Sequence, residues 1–246
     1  MNNILFYEAL TDEQITHLEK EKVVVLLPIS LLEAHGPHLP LGTDILIAEK
    51  FSQLLAQKLS KKHEDSAFLI LPPVPMGVGG ISRPGTLNHE QNLIKNVIFQ
   101  YGQRLHEHGF KQGIIISGHA GRGHLQAMSA ASRKLKRQFG FEFLALTSYL
   151  FMDAGLKKMG QMVAKEGNHL PQYDGHAGLW ETSVMMYLHP DQINGKHHGL
   201  PISEDADSNG YRGNPAEASP QIGQKLVNFL LDIAQMIVEK HFWLKS

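Results

Sequence analysis

Apolar residues in this chain gather in short unbroken runs, separated by longer segments where they recur every three or four positions. Val23 to Ile29 (VVVLLPI) is apolar on both faces and β-branched at its start, as a buried parallel strand is. Phe68 to Leu71 and Gly113 to Ser117 (GIIIS) read as further strands, and Phe141 to Thr147 alternates as a strand does. Between the runs the period becomes helical. Asp44 to Lys61 puts Ile45, Ala48, Phe51, Leu54, Leu55 and Leu59 on one face, with Thr43 or Asp44 as its cap. Glu90 to His108 puts Leu93, Ile94, Val97, Ile98, Tyr101 and Leu105 on one face and stops at Gly109. Gly123 to Gln138, Leu179 to Leu188 and the strongly striped Gln221 to Phe242 complete the predicted helices. Phe151 to Pro171 carries only a weak pattern, and His197 to Pro220 reads as a long polar loop.

Strands that alternate with helices predict a parallel sheet covered on both faces. In such sheets ligands bind outside the carboxyl ends of the strands. That rule singles out the loops after Ile29 and after Ser117, and both carry histidine.

Composition narrows the chemistry. Lys plus Arg is 23 and Asp plus Glu is 24, a net charge of −1, which gives no basic footprint for nucleic acid. At 42% hydrophobic the chain can build a core. No apolar run reaches the roughly 18 residues that span a bilayer, and the start MNNILFYEALTDEQ lacks the pattern of a signal peptide, so a cytoplasmic protein without membrane contact is expected. With no cysteine, disulfides, thiolate metal sites and a cysteine nucleophile are excluded. Oxygen and imidazole chemistry remains, with 15 histidines to perform it.

The first loop reads Ser30-Leu-Leu-Glu33-Ala-His35-Gly-Pro-His38-Leu-Pro-Leu-Gly-Thr-Asp44. Glu33 and His35 lie two apart, so in extended chain they point the same way. Asp44 returns at a helix start. Glu, His and Asp are ligands for Zn²⁺, Mn²⁺ or Fe²⁺ where thiolates are lacking. The second loop, Ser117-Gly118-His119-Ala120-Gly121-Arg122-Gly123-His124, surrounds His119 with small residues. A third segment, Asp174-Gly175-His176-Ala177-Gly178-Leu179-Trp180-Glu181, offers Asp, His and Glu around a helix start. Each element alone has an ordinary alternative. Glu33 and His35 could be loop polars, His119 could satisfy the next helix, and Glu181 could be a first-turn carboxylate favoured by the helix dipole. Their coincidence in three Gly-containing segments favours a shared site.

At these residues the chain resembles the creatininase (creatinine amidohydrolase) family. The matching motifs are Glu33-Ala-His35-Gly-Pro-His38-Leu-Pro-Leu-Gly-Thr-Asp44, then Gly118-His119-Ala120-Gly121, then His176-Ala177-Gly178-Leu-Trp-Glu181-Thr182-Ser183. Pro84-Gly85-Thr86 and the looser Gly210-Tyr-Arg-Gly213-Asn214-Pro215 fall in the family's order. The resemblance implies a single domain over 1–246 with a three-layer α/β/α sandwich and a mostly parallel sheet. It also implies two divalent ions per subunit and a homo-oligomer, commonly a hexamer. Zinc is the first expectation, with manganese or iron as alternatives. Carried over residue by residue, Glu33 and His119 bind one metal, His35 the other, and Asp44 bridges. Creatininase proper has a second-metal Glu where Gly121 stands here. The chain instead resembles the subgroup with Gly-His-Gly-Gly, in which Glu181 is expected to complete the second site. His176 matches the histidine that assists proton transfer at the scissile amide.

The resemblance also implies the reaction. A water bridging the metals would be acidified to hydroxide and attack a non-peptide or cyclic C–N amide, a small-molecule substrate. Two departures border the expected substrate. Gly79-Gly80-Ile81-Ser82-Arg83 runs straight into Pro84 where the family has a longer stretch, and Arg122 stands where Asn is common. Ser82, Arg122 and Asp174 are therefore the candidate substrate contacts, and Arg122 suggests a carboxylate or phosphate on the substrate. One alternative is a deformylase acting on a nucleotide-like formamide. An alternative of another class is a non-catalytic ligand-binding protein on the same scaffold.

Overall fold

The computed structural model of the chain describes residues 3–152 and 174–244. Five parallel strands form one sheet in the order β1-β3-β2-β4-β5: β1 (Ile4–Phe6), β2 (Val23–Pro28), β3 (Ala67–Ile70), β4 (Gln112–Ile116) and β5 (Glu142–Ala145). The helices are α1 (Asp12–His17), α2 (Thr43–Ser60), α3 (Gln91–Glu107), α4 (Arg122–Phe139), α5 (Leu146–Met152), α6 (Leu179–Leu188) and α7 (Pro220–Phe242), with single turns between them.

Period-two alternation assigns the two faces. Val23, Val25 and Leu27 of β2 pack with Ile94 and Ile98 of α3 and Leu125 and Met128 of α4. Val24 and Leu26 pack with Phe51 and Leu55 of α2 and Val227 and Leu231 of α7. Because both faces are covered, β2 is apolar throughout and buried throughout. The result is the expected α/β sandwich of three layers.

Three expectations are corrected. Neither β1 nor α1 was predicted, although Thr11 and Gln14 form a capping box at the start of α1. The strand expected over Phe141 to Thr147 ends at Ala145, and helix α5 begins at Leu146. Thr43 and Asp44 do not cap α2. Both lie inside it, after Gly42, and the Thr43 hydroxyl donates to the Pro40 carbonyl. The weak pattern after Phe151 lies, from residue 153 on, outside the described residues.

The strand order places the site. From β2 the chain goes to β3 on one side, then crosses to β4 on the other, so the sheet's switch point lies between β2 and β4. The loops leaving those two strands are the two singled out from the sequence. No helix among the described residues is long and apolar enough to cross a membrane.

Candidate metal centre

Beyond β2 the backbone runs extended past Ser30, and the Glu33 amide donates to the Leu41 carbonyl at 2.9 Å, folding the loop back onto the start of α2. Asp44, in the first turn of α2, thereby faces Glu33 and His35. The loop after β4 is fastened to the first loop by serine. The Ser30 hydroxyl accepts the amides of Gly118 and His119, each at 3.1 Å, and lies 2.9 Å from the Ser117 hydroxyl. Gly118 is required by close approach, since a Cβ there would stand 2.2 Å from the Asp44 carbonyl oxygen.

These contacts bring five residues together. His35 Nε2 lies 3.3 Å from Asp44 Oδ1 and 3.7 Å from Glu181 Oε2. His119 Nδ1 lies 3.3 Å from Asp44 Oδ2 and 3.1 Å from Glu33 Oε2. Three candidate ligand groups result among the described residues, Glu33/Asp44/His119, His35/Asp44/Glu181 and Glu33/His35/His176, the donor atoms of each within 4.8 Å of one another. The first two share Asp44, and in the third His176 Nε2 is already hydrogen-bonded to the Ala34 carbonyl. Ligands bound at roughly 2.1 Å around a tetrahedral ion stand about 3.4 Å apart. The observed separations of 3.1, 3.3 and 3.7 Å bracket that spacing, so each of the two triads that share Asp44 can accept an ion with little movement.

The hydrogen bonding fits the same occupants. Glu33 Oε2, His35 Nε2 and both oxygens of Asp44 are buried without a hydrogen-bond partner. The other atoms of these side chains are engaged. His35 Nδ1–H donates to the Glu33 carbonyl at 2.9 Å, and His119 Nε2–H donates to the Val78 carbonyl at 3.2 Å. A carbonyl only accepts, so each bond fixes a tautomer whose free nitrogen faces the triad. Glu33 Oε1 accepts the Ile81 amide at 2.7 Å. Buried polar atoms left open in this way are costly unless a cation meets them.

The charges point the same way. Burial works against a charge on His35, but Asp44 and then Glu181 outweigh it and lift the imidazole to about 9. His119 is lifted to about 10 by Asp44 and Glu33, again against burial. Burial raises the Asp44 carboxyl, yet His35 and His119 overcome this and hold it well below the usual carboxylate range. Burial raises Glu181 above its ordinary value in spite of His35 and His176. Three carboxylates thus hold protons on two imidazoles, positions that divalent ions would take over.

His176 sits beside the triads. Its Nε2–H donates to the Ala34 carbonyl at 2.7 Å, and its ring centroid is 4.3 Å from that of His35. Between it and Glu181, Ala177 has a φ of 50°, a left-handed conformation that a residue with a Cβ rarely adopts. The Ala177 amide donates to Glu181, and its carbonyl accepts from His38 Nε2 at 3.1 Å. His38 was given no role from the sequence. Burial lowers its imidazole to about 4, so it acts as a neutral strut under the turn that carries His176 and Glu181.

The candidate substrate contacts fare differently. Asp174 lines the cavity, but its Oδ1 accepts the Leu179 amide at 2.8 Å and its Oδ2 the Trp180 amide at 3.3 Å, so its carboxylate serves the first turn of α6. Ser82 and Arg122 are exposed and stand outside the described cavity wall. The Ser82 amide turns away to Asp207, while Gly79 and Ile81 take the wall positions. Gly121 cannot be replaced at little cost, because a Cβ there would stand 2.2 Å from His119 Nε2. A longer side chain at 121 is incompatible with this placement of His119, and the carboxylate that stands near His35 besides Asp44 is that of Glu181, from α6.

Residues 8–237 match the family model described as creatinine amidohydrolase. The mycofactocin precursor peptide peptidase of Mycolicibacterium smegmatis is 28% identical over 172 residues, 69% of this chain and 60% of that protein, so the match spans about three fifths of that relative. The creatinine amidohydrolase of Pseudomonas putida is 25% identical over 182 residues, 69% of this chain and 66% of that protein. A mutant creatininase structure superposes at a TM-score of 0.77 with 19% identity, over 96% of this chain and 99% of the other. A manganese creatininase (97% of this chain, 99% of the other) and a zinc–zinc form (96% and 98%) match at TM-scores of 0.71 and 0.72, both 20% identical. Three-layer fold, motif order and a match over nearly the whole length agree, and the chain belongs to the creatininase family.

Proposed function

We propose that this chain is a two-metal hydrolase of a C–N amide bond in a small molecule, with a non-peptide or cyclic amide as the first reading. The observation that carries it is Asp44, whose two buried oxygens lack hydrogen-bond partners and face His35 and His119 respectively. In this reading Glu33 and His119 hold one divalent ion, His35 and Glu181 the other, and Asp44 both. Zinc comes first, and manganese or iron are the alternatives. Ions held there would polarise an amide carbonyl and acidify a water to serve as nucleophile. His176, its Nε2–H anchored on Ala34, keeps a lone pair on Nδ1 and can carry a proton from that water to the leaving nitrogen. The buried carboxylates and the fixed imidazole tautomers hold this arrangement before substrate arrives, so little reorganisation is left for the reaction.

A peptide amide is the second reading, favoured by the relatives named as peptide peptidases. The test is a metal-reconstituted screen of amides, lactams, formamides and short peptides, with ammonia, formate and free amine assayed separately. Metal-dependent turnover supports the proposal, and the product distinguishes ring opening, deformylation and peptide cleavage. A full metal complement with no turnover on any class would favour a ligand-binding protein. Purified protein that takes up no metal would overturn the proposal.

A further inference from the structure

The metal centre opens into a cavity of about 330 Å³, and most of its wall is apolar. Past Glu33, His119, His176 and Glu181 it runs between three helices, against Ile47 and Phe51 of α2, Val184 and Leu188 of α6, and Val227 and Leu230 of α7. Phe51, Leu188 and Val227 are buried in the core that α2 and α7 build on one face of the sheet, Val184 and Leu230 pack against it, and Ile47 packs against the neighbouring Leu39–Met185 cluster. A gap among aliphatic side chains lacks dispersion partners and destabilises the fold unless something apolar fills it. Among the described wall residues there is no Lys or Arg, and the charged ones are acidic apart from the histidines. Arg122, which suggested an anionic substrate, is exposed and stands outside this wall. An anionic tail reaching the helical end, away from the metal ligands, would lose its water with no Lys or Arg among the described wall residues to meet it.

We infer that the substrate of this site carries a bulky, uncharged apolar group next to the amide, and that Val184, Leu188 and Leu230 select for it. This rests on the metal-dependent reading above, because the amide must lie against the triads while the apolar group fills the cavity. The group is the aliphatic or aromatic side chain of an amino-acid-like unit, or an acyl chain of similar size. A compact polar ring would leave the helical end of the cavity empty.

The test separates the two claims. Zinc-reconstituted protein is titrated calorimetrically with acetohydroxamate, hexanohydroxamate and octanohydroxamate, whose common head chelates the metal centre. Each buried methylene contributes about 0.8 kcal/mol, so affinity should rise about fourfold per methylene until the cavity is full. A hydroxamate of matched length ending in a carboxylate should bind at least about tenfold more weakly than its alkyl counterpart. Val184→Phe, which fills the cavity, should flatten the series, and the ratio of octano- to acetohydroxamate affinity is the readout. Equal affinity across the wild-type series, or tighter binding of the carboxylate-tailed probe, overturns the inference and leaves the metal centre standing. Failure of every hydroxamate, acetohydroxamate included, to bind zinc-treated protein overturns the metal-centre reading and this inference with it.

Discussion

At the scale of single residues, Glu181 and Gly121 form one choice. The missing side chain at 121 makes room for His119, and in the proposed reading Glu181 of α6, 3.7 Å from His35 Nε2, takes the place of the carboxylate that the second loop lacks. Glu181→Gln should therefore release the metal held by His35, reduce turnover by roughly a hundredfold or more, and leave melting of the metal-free protein nearly unchanged. Gly121→Ala alters no ligand. It should still weaken the Glu33/His119 metal about 10–100-fold by displacing the His119 ring, which a competitive chelator titration would measure. Acidity acts through the same imidazoles. In the metal-free protein His35 at about 9 and His119 at about 10 are raised above their unfolded value near 6.5. Their contribution to stability is fully present below about 6.5 and is lost as pH rises through 9 to 10. Chelator-treated protein should thus melt at falling temperature from pH 7 to 10. Metal affinity should rise over the same range, because each ion displaces protons. A metal-free melting temperature that climbs with pH would contradict the assignment of these charges.

At the scale of elements, the long periodic segments were legible and the short ones were not. β2, β4 and α2 announce themselves because each buries a continuous apolar stripe. β1 is a three-residue edge strand, too short to show a period, and its partner β3 lies about sixty residues away. α5 follows β5 without a break, so no turn residue marks the change. In the site, the coincidence of Glu, His and Asp in three loop segments suggested a shared centre, and the resemblance to the creatininase motifs implied Glu33, His35, Asp44, His119 and Glu181 as its ligands before any coordinates. The role of Asp174 was not legible, because a carboxylate that caps a helix and one that meets a substrate look alike in a sequence. Asp174→Ala should cost about 1–2 kcal/mol, the range of a lost helix cap. It should act on catalysis through the placement of Glu181 and leave KM little changed. A large rise in KM with unchanged melting would restore it as a substrate contact.

At the scale of the whole molecule, the switch point between β2 and β4 collects the candidate ligands from two strand loops and one later helix, which makes the proposed centre depend on the complete fold. The apolar segments Val74 to Val78 and Phe242 to Leu244, which the sequence offers as candidate subunit contacts, mostly serve their own core. Val74 is buried in it, Met76 and Val78 pack against it, and Trp243 stacks on His63 at 3.8 Å, while Leu244 stays exposed. Leu41, Leu87 and Ile202 are further exposed apolar residues that a homo-oligomer, with a hexamer as the first expectation, can cover. Light scattering at micromolar concentration should give a multiple of 27.4 kDa, and a single peak at that mass would contradict the assembly. The central claim is narrower: two divalent ions share one carboxylate. Metal content per chain after exhaustive dialysis, measured side by side for the native protein and Asp44→Ala, tests it most directly. The account predicts two ions in the native protein and the joint loss of both in the variant, because each loses a ligand and their mutual repulsion loses its screen. Asp44→Ala that keeps two tightly held ions would contradict it.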